Sequence, residues 1–160
     1  MPVIASTEEF FMMYCHKSKK VMTRMMIWQC YWKALVEQNC VYQDMDGKDK
    51  KSAHLMAWHN DNLVAYTRLV PPGVSFKEAS IGRVITSPFY RRLGFGITLL
   101  EKSIEQILAT YQTNKIRIGA QLYLKKFYEG FGFVAEYCNP DFNSPPLYFS
   151  SKYFSPFGLK

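Results

Sequence analysis

The chain has 160 residues, 48% of them hydrophobic, 16% aromatic and 21% charged, and carries a formal net charge of +7. That length suits one domain better than two, and the apolar content excludes an intrinsically disordered chain. No apolar run approaches the ~18–20 residues of a membrane-spanning helix, and Glu8 and Glu9 precede any basic residue, unlike a secretory or transit leader, so a soluble, cytoplasmic protein is expected.

Residues 1–20 read as an N-terminal extension. Ser6 or Thr7 can cap a short helix whose first turn carries Glu8 and Glu9, where carboxylates suit the helix dipole. The Phe10-Phe11-Met12-Met13 run belongs to that segment as an apolar stripe. Residues 21–160 read as a single domain. A short strand is expected at 27–31, a helix at 32–38, and a turn-rich loop at 43–52 around Asp46-Gly47. Strands at 54–58 and 63–70 are joined across His59-Asn60-Asp61-Asn62, a hairpin signal. Pro71-Pro72-Gly73 ends the second strand, and 79–86 is a further β-branched strand. A basic, glycine-containing turn at 88–96 leads into a helix from Ile97 to about residue 110, with Ile97, Leu100, Ile104, Ile107 and Leu108 on one face. A strand at 115–119 follows, then a helix at 121–129 with Gly130 as its C-cap glycine. Strands at 133–137 and 147–149, separated by the proline-rich loop 140–146, complete an α+β pattern.

Cys15, Cys30, Cys40 and Cys138 show neither C-x-x-C nor zinc-finger spacing, so reduced thiols and no metal site are expected. The loop carrying Asp44, Asp46 and Asp49 lacks the sixth-position glycine and twelfth-position glutamate of a calcium-binding loop. Basic clusters at 16–20 and 48–51 suit a solvated surface, a polyanionic partner or a phosphate-rich cofactor. No nucleic-acid-binding motif accompanies them, so a nucleic-acid partner is not expected.

Chemistry concentrates at Thr86-Ser87-Pro88-Phe89-Tyr90-Arg91-Arg92-Leu93-Gly94-Phe95-Gly96-Ile97-Thr98. Here a strand enters a turn with two glycines, and the turn opens a helix. Glycines let a ligand approach the backbone closely, and the unpaired amides and dipole of a helix start favour an anion such as pyrophosphate. Arg91 and Arg92 add full charges. No third glycine stands at the offset of a dinucleotide fingerprint, and there is no Gly-Lys-Ser/Thr of a P-loop. What remains is Arg-x-x-Gly-x-Gly between a strand and an amphipathic helix, a pattern that an arginine-rich turn with glycine caps could also produce.

Arg91-x-x-Gly94-x-Gly96 resembles the acyl-CoA pyrophosphate loop of the GNAT N-acetyltransferase superfamily, with Pro88 in a position where such enzymes often carry proline. About thirty residues on, Gln121-Leu122-Tyr123-Leu124-Lys125-Lys126-Phe127-Tyr128-Glu129-Gly130-Phe131-Gly132-Phe133 resembles the closing Asn-x-x-Ala-x-x-Phe-Tyr-x-x-x-Gly-Phe motif, with Gln121 for Asn and Leu124 for Ala. The segment from Val36-Glu37-Gln38 through Asp46-Gly47, with His54-Leu55-x-Ala57-Trp58, Leu63-Val64-Ala65-Tyr66-x-Arg68-Leu69, Ile81-Gly82-Arg83-Val84 and Gly119-Ala120-Gln121, resembles the ElaA-like branch. The likeness covers roughly residues 25–135. Two features depart from that branch. Barely one helical turn separates Met26-Ile27-Trp28-Gln29 from Val36-Glu37-Gln38, and Asp141-Phe142-Asn143-Ser144-Pro145-Pro146 lacks the branch's histidine. Both fall on what would be the acceptor side.

The resemblance implies a mixed, mostly antiparallel sheet flanked by helices, with acyl-CoA bound at a splay between its middle strands. It implies direct attack of an amine on the thioester of acetyl-CoA. The backbone of Val84, Ile85 and Thr86 would hold the pantetheine, with an amide facing the developing oxyanion. Arg91, Arg92, Leu93, Gly94, Phe95, Gly96, Ile97 and Thr98 would hold the pyrophosphate, and Gln121 and Phe127 belong to the second motif of the cofactor side. Tyr128 would stand near the sulfur. A phenol of pKa about 10 protonating a thiolate of about 8.5 is uphill by ~2 kcal/mol, so hydrogen bonding to the thiolate is expected rather than full transfer.

Glu37 is the first candidate for the base that deprotonates the amine, against its reading as an exposed helix carboxylate. His54 can titrate near neutrality or serve as a structural hydrogen-bonding group. Arg68 and Arg83 could bind an acceptor carboxylate, or pair with Asp44, Asp46 or Asp49. The acceptor would be a small-molecule or peptide amine, and the aromatic tail from Phe149 to Phe157 suits a homodimer contact. A non-catalytic acyl-CoA-binding or protein-interaction module on the same fold is the rival reading.

Overall fold

The computed structural model describes residues 10–16, 47–136 and 147–151. Seven strands form one open sheet: β1 (Phe10–His16), β2 (Ala53–His59), β3 (Asn62–Val70), β4 (Ala79–Thr86), β5 (Ile116–Ala120), β6 (Phe133–Glu136) and β7 (Leu147–Ser151). Their spatial order is β1-β2-β3-β4-β5-β7-β6. Among the described residues, two α-helices, α1 (Phe95–Tyr111) and α2 (Lys125–Glu129), accompany this mixed, mostly antiparallel sheet in an α+β fold. No helix among the described residues is long and apolar enough to cross a membrane.

The strand expected at 27–31, the helix at 32–38, the loop at 140–146 and the tail from residue 152 lie outside the described residues. So do Ser6, Thr7, Glu8, Glu9 and Glu37. The apolar run Phe10–Met13, read from sequence as part of a short helical segment, is a strand: Phe10 to His16 pairs antiparallel with β2, Phe10 opposite His59 and His16 opposite Ala53. Consecutive bulky residues carry no helical period, and aromatic side chains fit a pleated surface.

The described residues fall into two compact units, one comprising those up to Arg68 plus Arg83–Leu100, the other Leu69–Gly82 plus those from Glu101 onward. In the first unit, β2 and β3 are joined through Asn60 and Asp61, whose φ values of 46° and 57° define a tight turn of the type that matches strand twist. Asn and Asp tolerate this left-handed backbone better than other side chains. From Leu63 on, β3 is buried at every position, which explains its unbroken Leu-Val-Ala-Tyr-Thr-Arg-Leu-Val run. Leu55, Ala57, Val64, Ala65 and Leu99 form a core cluster against which Val84, Tyr90 and Phe95 pack.

In the second unit, β4 and β5 run parallel over Ala79–Ile81 against Ile116–Ile118, and the register ends there although β4 continues to Thr86 and β5 to Ala120. β7 lies between β5 and β6 and is antiparallel to both. Arg117 on β5 approaches Glu136 at 3.3 Å and Glu78 at 3.8 Å, and its guanidinium lies over the Phe76 ring at 5.2 Å.

One local expectation needs correction and one is met in position but not in backbone angle. The buried stripe of α1 consists of Leu99, Leu100, Ser103, Ile104 and Ile107, while Ile97 is 50% exposed and Leu108 only partly buried. At about 100° per residue, Ile97 and Leu108 stand roughly 90–110° from the centre of that stripe. Gly130 is the C-cap of α2, as expected, but its φ of −60° is helical, and the glycine with positive φ after α2 is Gly132 (φ 82°). The chain tightens past α2 through Phe131 N–H to Tyr128 C=O and Gly132 N–H to Glu129 C=O, so the left-handed step comes two residues later.

Candidate active site

The first unit brings most of the cofactor-side residues onto one strand–turn–helix segment. Ile85 is buried, and Val84 and Thr86 are half-buried at the end of β4. Ser87 N–H bonds Val64 C=O at 2.8 Å, and Pro88–Tyr90 then form one tight helical turn. Arg91 is extended, and its Nε donates to Thr86 C=O at 3.4 Å. Arg92 and Gly94 both have left-handed backbones, with φ of 64° and 89°. For an arginine this step is disfavoured by ~1–3 kcal/mol, the kind of local cost found where a loop is shaped for a ligand.

α1 then begins. Ile97 and Thr98 N–H both bond Gly94 C=O, at 3.0 and 3.1 Å, so the amides preceding Ile97 come before any acceptor within the helix. No acidic residue stands in the first turn, and Arg91 and Arg92 are exposed beside it. The segment is therefore electropositive from dipole and side chains together. A Cβ placed on Gly96 would lie 3.2 Å from Thr86 Oγ1, so the glycine lets the helix start close on the strand end.

Side chains divide the segment into support and surface. The rings of His59, Tyr90 and Phe95 meet with centroids 5.8–6.0 Å apart, which braces both ends of the turn. Phe95 thus faces the core, and what it can offer a cofactor is its backbone. Leu93 and Ile97 are exposed, as is Phe89 at 81%. The His59–Tyr90 contact was not anticipated from sequence, because it joins the hairpin to a turn thirty residues away.

The second unit carries the closing motif. Gln121 is extended and starts the tight turn Leu122–Leu124, its C=O accepting Leu124 N–H at 3.0 Å; α2 follows directly. Tyr128 is 3% exposed, with Phe127 and Phe133 edge-on at 5.2 and 6.2 Å. Burial, with a smaller contribution from Tyr123, raises its pKa above that of an ordinary phenol. The hydroxyl therefore stays protonated and can donate, and it resists giving its proton up.

His54, the buried Arg68 and the half-buried Arg83 resolve into structure. Nε2–H of His54 donates to Asp49 C=O at 3.1 Å, which leaves Nδ1 to accept from the Tyr66 hydroxyl at 2.7 Å. Burial lowers the His54 pKa from 6.5, so the imidazole is neutral and both nitrogens are occupied. Stability from a depressed folded-state pKa is present above pH 6.5 and is lost as pH falls through the folded value. The unfolding midpoint is expected to drop on acidification below pH 6.5, and His54→Gln should flatten that part of the profile; an unchanged profile in the variant would remove the assignment. Arg68 and Arg83 both pair with Asp49, at 2.8 and 3.3 Å, as one of their sequence readings had it. Among the described residues no cluster of three or more His, Cys, Asp or Glu side chains could hold a metal ion.

Comparison with known proteins fits this arrangement. The chain is 39% identical to ElaA of Escherichia coli (strain K12) over 102 residues, 62% of this chain and 67% of that one. It is 44% identical over 101 residues to a UPF0039 protein of Synechocystis, 62% of this chain and 66% of that one. The crystal structure of Escherichia coli ElaA superposes with a TM-score of 0.80 at 31% identity, covering 89% of this chain and 99% of that one. An acyl-CoA N-acyltransferase from Pseudomonas aeruginosa gives a TM-score of 0.79 at 28% identity, covering 89% and 99%. Residues 14–144 match the acetyltransferase (GNAT) domain family. The electropositive turn between β4 and α1 and the Phe-Tyr motif on α2 thus stand in a chain that belongs to the GNAT acetyltransferase family, on its ElaA-like branch.

Proposed function

We propose that the protein is an acetyl-CoA-dependent N-acetyltransferase, transferring the acetyl group to a small-molecule or peptide amine by direct attack on the thioester. The observation that carries this reading is the Arg91–Gly96 turn, with its two left-handed residues, two exposed arginines and acid-free helix start, in a chain of this family. Such a turn suits a pyrophosphate. The β4 backbone at Val84, Ile85 and Thr86 would hold the pantetheine and offer an amide to the oxyanion.

The attacking amine loses a proton and the sulfur leaves as thiolate. Tyr128, kept protonated by burial, would donate a hydrogen bond to that thiolate rather than transfer its proton. Glu37 would serve as the base, directly or through water.

The test is calorimetric titration of the purified chain with acetyl-CoA at two salt concentrations. Micromolar 1:1 binding is expected, with product formation from one member of an amine panel. Absence of binding by a folded protein would end the reading. One observation favours a rival, an acyl-CoA-binding module without turnover: Tyr128 is as buried as a core aromatic. Cofactor binding with no acetyl transfer to any amine would support that module. Tight, steeply salt-dependent binding to polyanions instead would point to nucleic acid.

A further inference from the structure

Arg83 has a left-handed backbone, φ 55°, inside β4. That conformation crowds Cβ against the following carbonyl in any residue but glycine. The burial of β4 changes phase at this point: Ala79, Ser80 and Ile81 are all buried, Gly82, Arg83 and Val84 half-buried, and Ile85 buried again. The register with β5 also ends at Ile81, just before the step. The three residues after Arg83 are those assigned above to the pantetheine and the oxyanion, so the backbone angle at Arg83 sets the direction in which they present their amides and carbonyls.

Asp49 provides a fixed anchor for this step. One carboxylate oxygen accepts Arg68 Nη1 at 2.8 Å, the other accepts Arg83 Nη1 at 3.3 Å, and its backbone carbonyl accepts His54 Nε2–H at 3.1 Å. The two arginine side chains are only 7% and 12% exposed, whereas the Asp49 side chain is 41% exposed, so solvent screens these pairs from the carboxylate side only. With its main-chain carbonyl held from β2 and its carboxylate from β3, Asp49 has little freedom to follow Arg83 if the strand relaxes.

We propose that the Asp49–Arg83 pair is a positioning device that holds β4 in its left-handed step and so sets affinity for the acyl-pantetheine part of the cofactor. This rests on the acetyl-CoA reading above. Arg83 and Asp49 act through the backbone of Val84–Thr86 and need touch no ligand.

The test compares Arg83→Ala, Arg83→Gly and Asp49→Asn in the full chain, titrated with acetyl-CoA and with ADP, which has a pyrophosphate but no pantetheine. Alanine loses the anchor and keeps the strain, whereas glycine loses both. Arg83→Ala and Asp49→Asn are expected to weaken acetyl-CoA binding about tenfold while ADP binding changes less than about twofold, and Arg83→Gly to recover most of the loss. A glycine variant no better than the alanine variant would overturn the proposal, as would equal losses for both ligands. If the native chain does not bind acetyl-CoA, the cofactor reading fails separately. The unfolding midpoints then decide: a glycine variant more stable than the alanine variant upholds the strained, anchored step, and equal midpoints refute it.

Discussion

Gly96→Glu is expected to lower acetyl-CoA affinity at least a hundredfold while the protein remains folded. The glycine stands at the start of α1, where a Cβ would lie 3.2 Å from Thr86 Oγ1, so a side chain there crowds the Thr86 hydroxyl, which must give by a few tenths of an ångström. Glutamate also brings a negative charge to the place assigned to the pyrophosphate. Like charges ~5 Å apart at an effective dielectric of ~20 repel by about 3 kcal/mol, which is roughly a hundredfold in affinity. The same carboxylate is favoured by the helix dipole, by about 0.3–1 kcal/mol, which offsets part of the crowding. Calorimetry with acetyl-CoA and a thermal unfolding curve separate these effects. Undiminished affinity in the folded variant would withdraw the pyrophosphate assignment of the whole Arg91–Thr98 segment.

Tyr128→Phe is expected to reduce turnover about 10²–10³-fold with acetyl-CoA affinity nearly unchanged. Removing one preorganised donor to a developing anion typically costs that much, and phenylalanine keeps the ring against Phe127 and Phe133. The raised pKa has a second consequence. A group whose folded pKa lies above its unfolded value contributes stability that is fully present below about pH 10 and fades as pH rises through the folded value. Tyr128 should therefore impose no alkaline fall in rate below about pH 10. Single-turnover kinetics across pH, with an amine identified by the acceptor panel, would check both statements. A loss of only a few-fold would make Tyr128 a packing residue and favour the binding module.

The parts of this fold legible in sequence are those whose signals are local. β3 shows as a mostly apolar run, β4 as a β-branched one, and the turn to α1 as glycines and arginines between two periodic segments. Around β1 the capping signal of Ser6 or Thr7 with Glu8 and Glu9 points to a helix, whereas its strand conformation depends on pairing with β2, from Phe10 opposite His59 to His16 opposite Ala53, far along the sequence. Gly130 and Gly132 are equivalent as letters, and only the extra turn after α2 decides which takes the left-handed step. The site follows the same rule. The strand–turn–helix with its glycines and arginines could be read from sequence, whereas the tie of Asp49 to Arg68, Arg83 and His54 draws on three strands and a loop, and three aspartates were equally eligible for it on sequence grounds.

The insertion of β7 between β5 and β6 has a consequence for how the protein is made. β6 leaves the ribosome first, yet its ladder partner is β7, which is translated later. Until β7 arrives, β5 presents an open edge and β6 has nothing in the sheet to join. Such edges are templates for pairing with other chains. The nascent protein thus passes through a stage in which most of the sheet can exist while its last two positions stay empty, and a chain cut between residues 136 and 147 would be held at that stage. The vulnerability in synthesis and handling accordingly lies well downstream of the basic turn, in five residues, Leu147–Ser151, that take no part in the proposed chemistry.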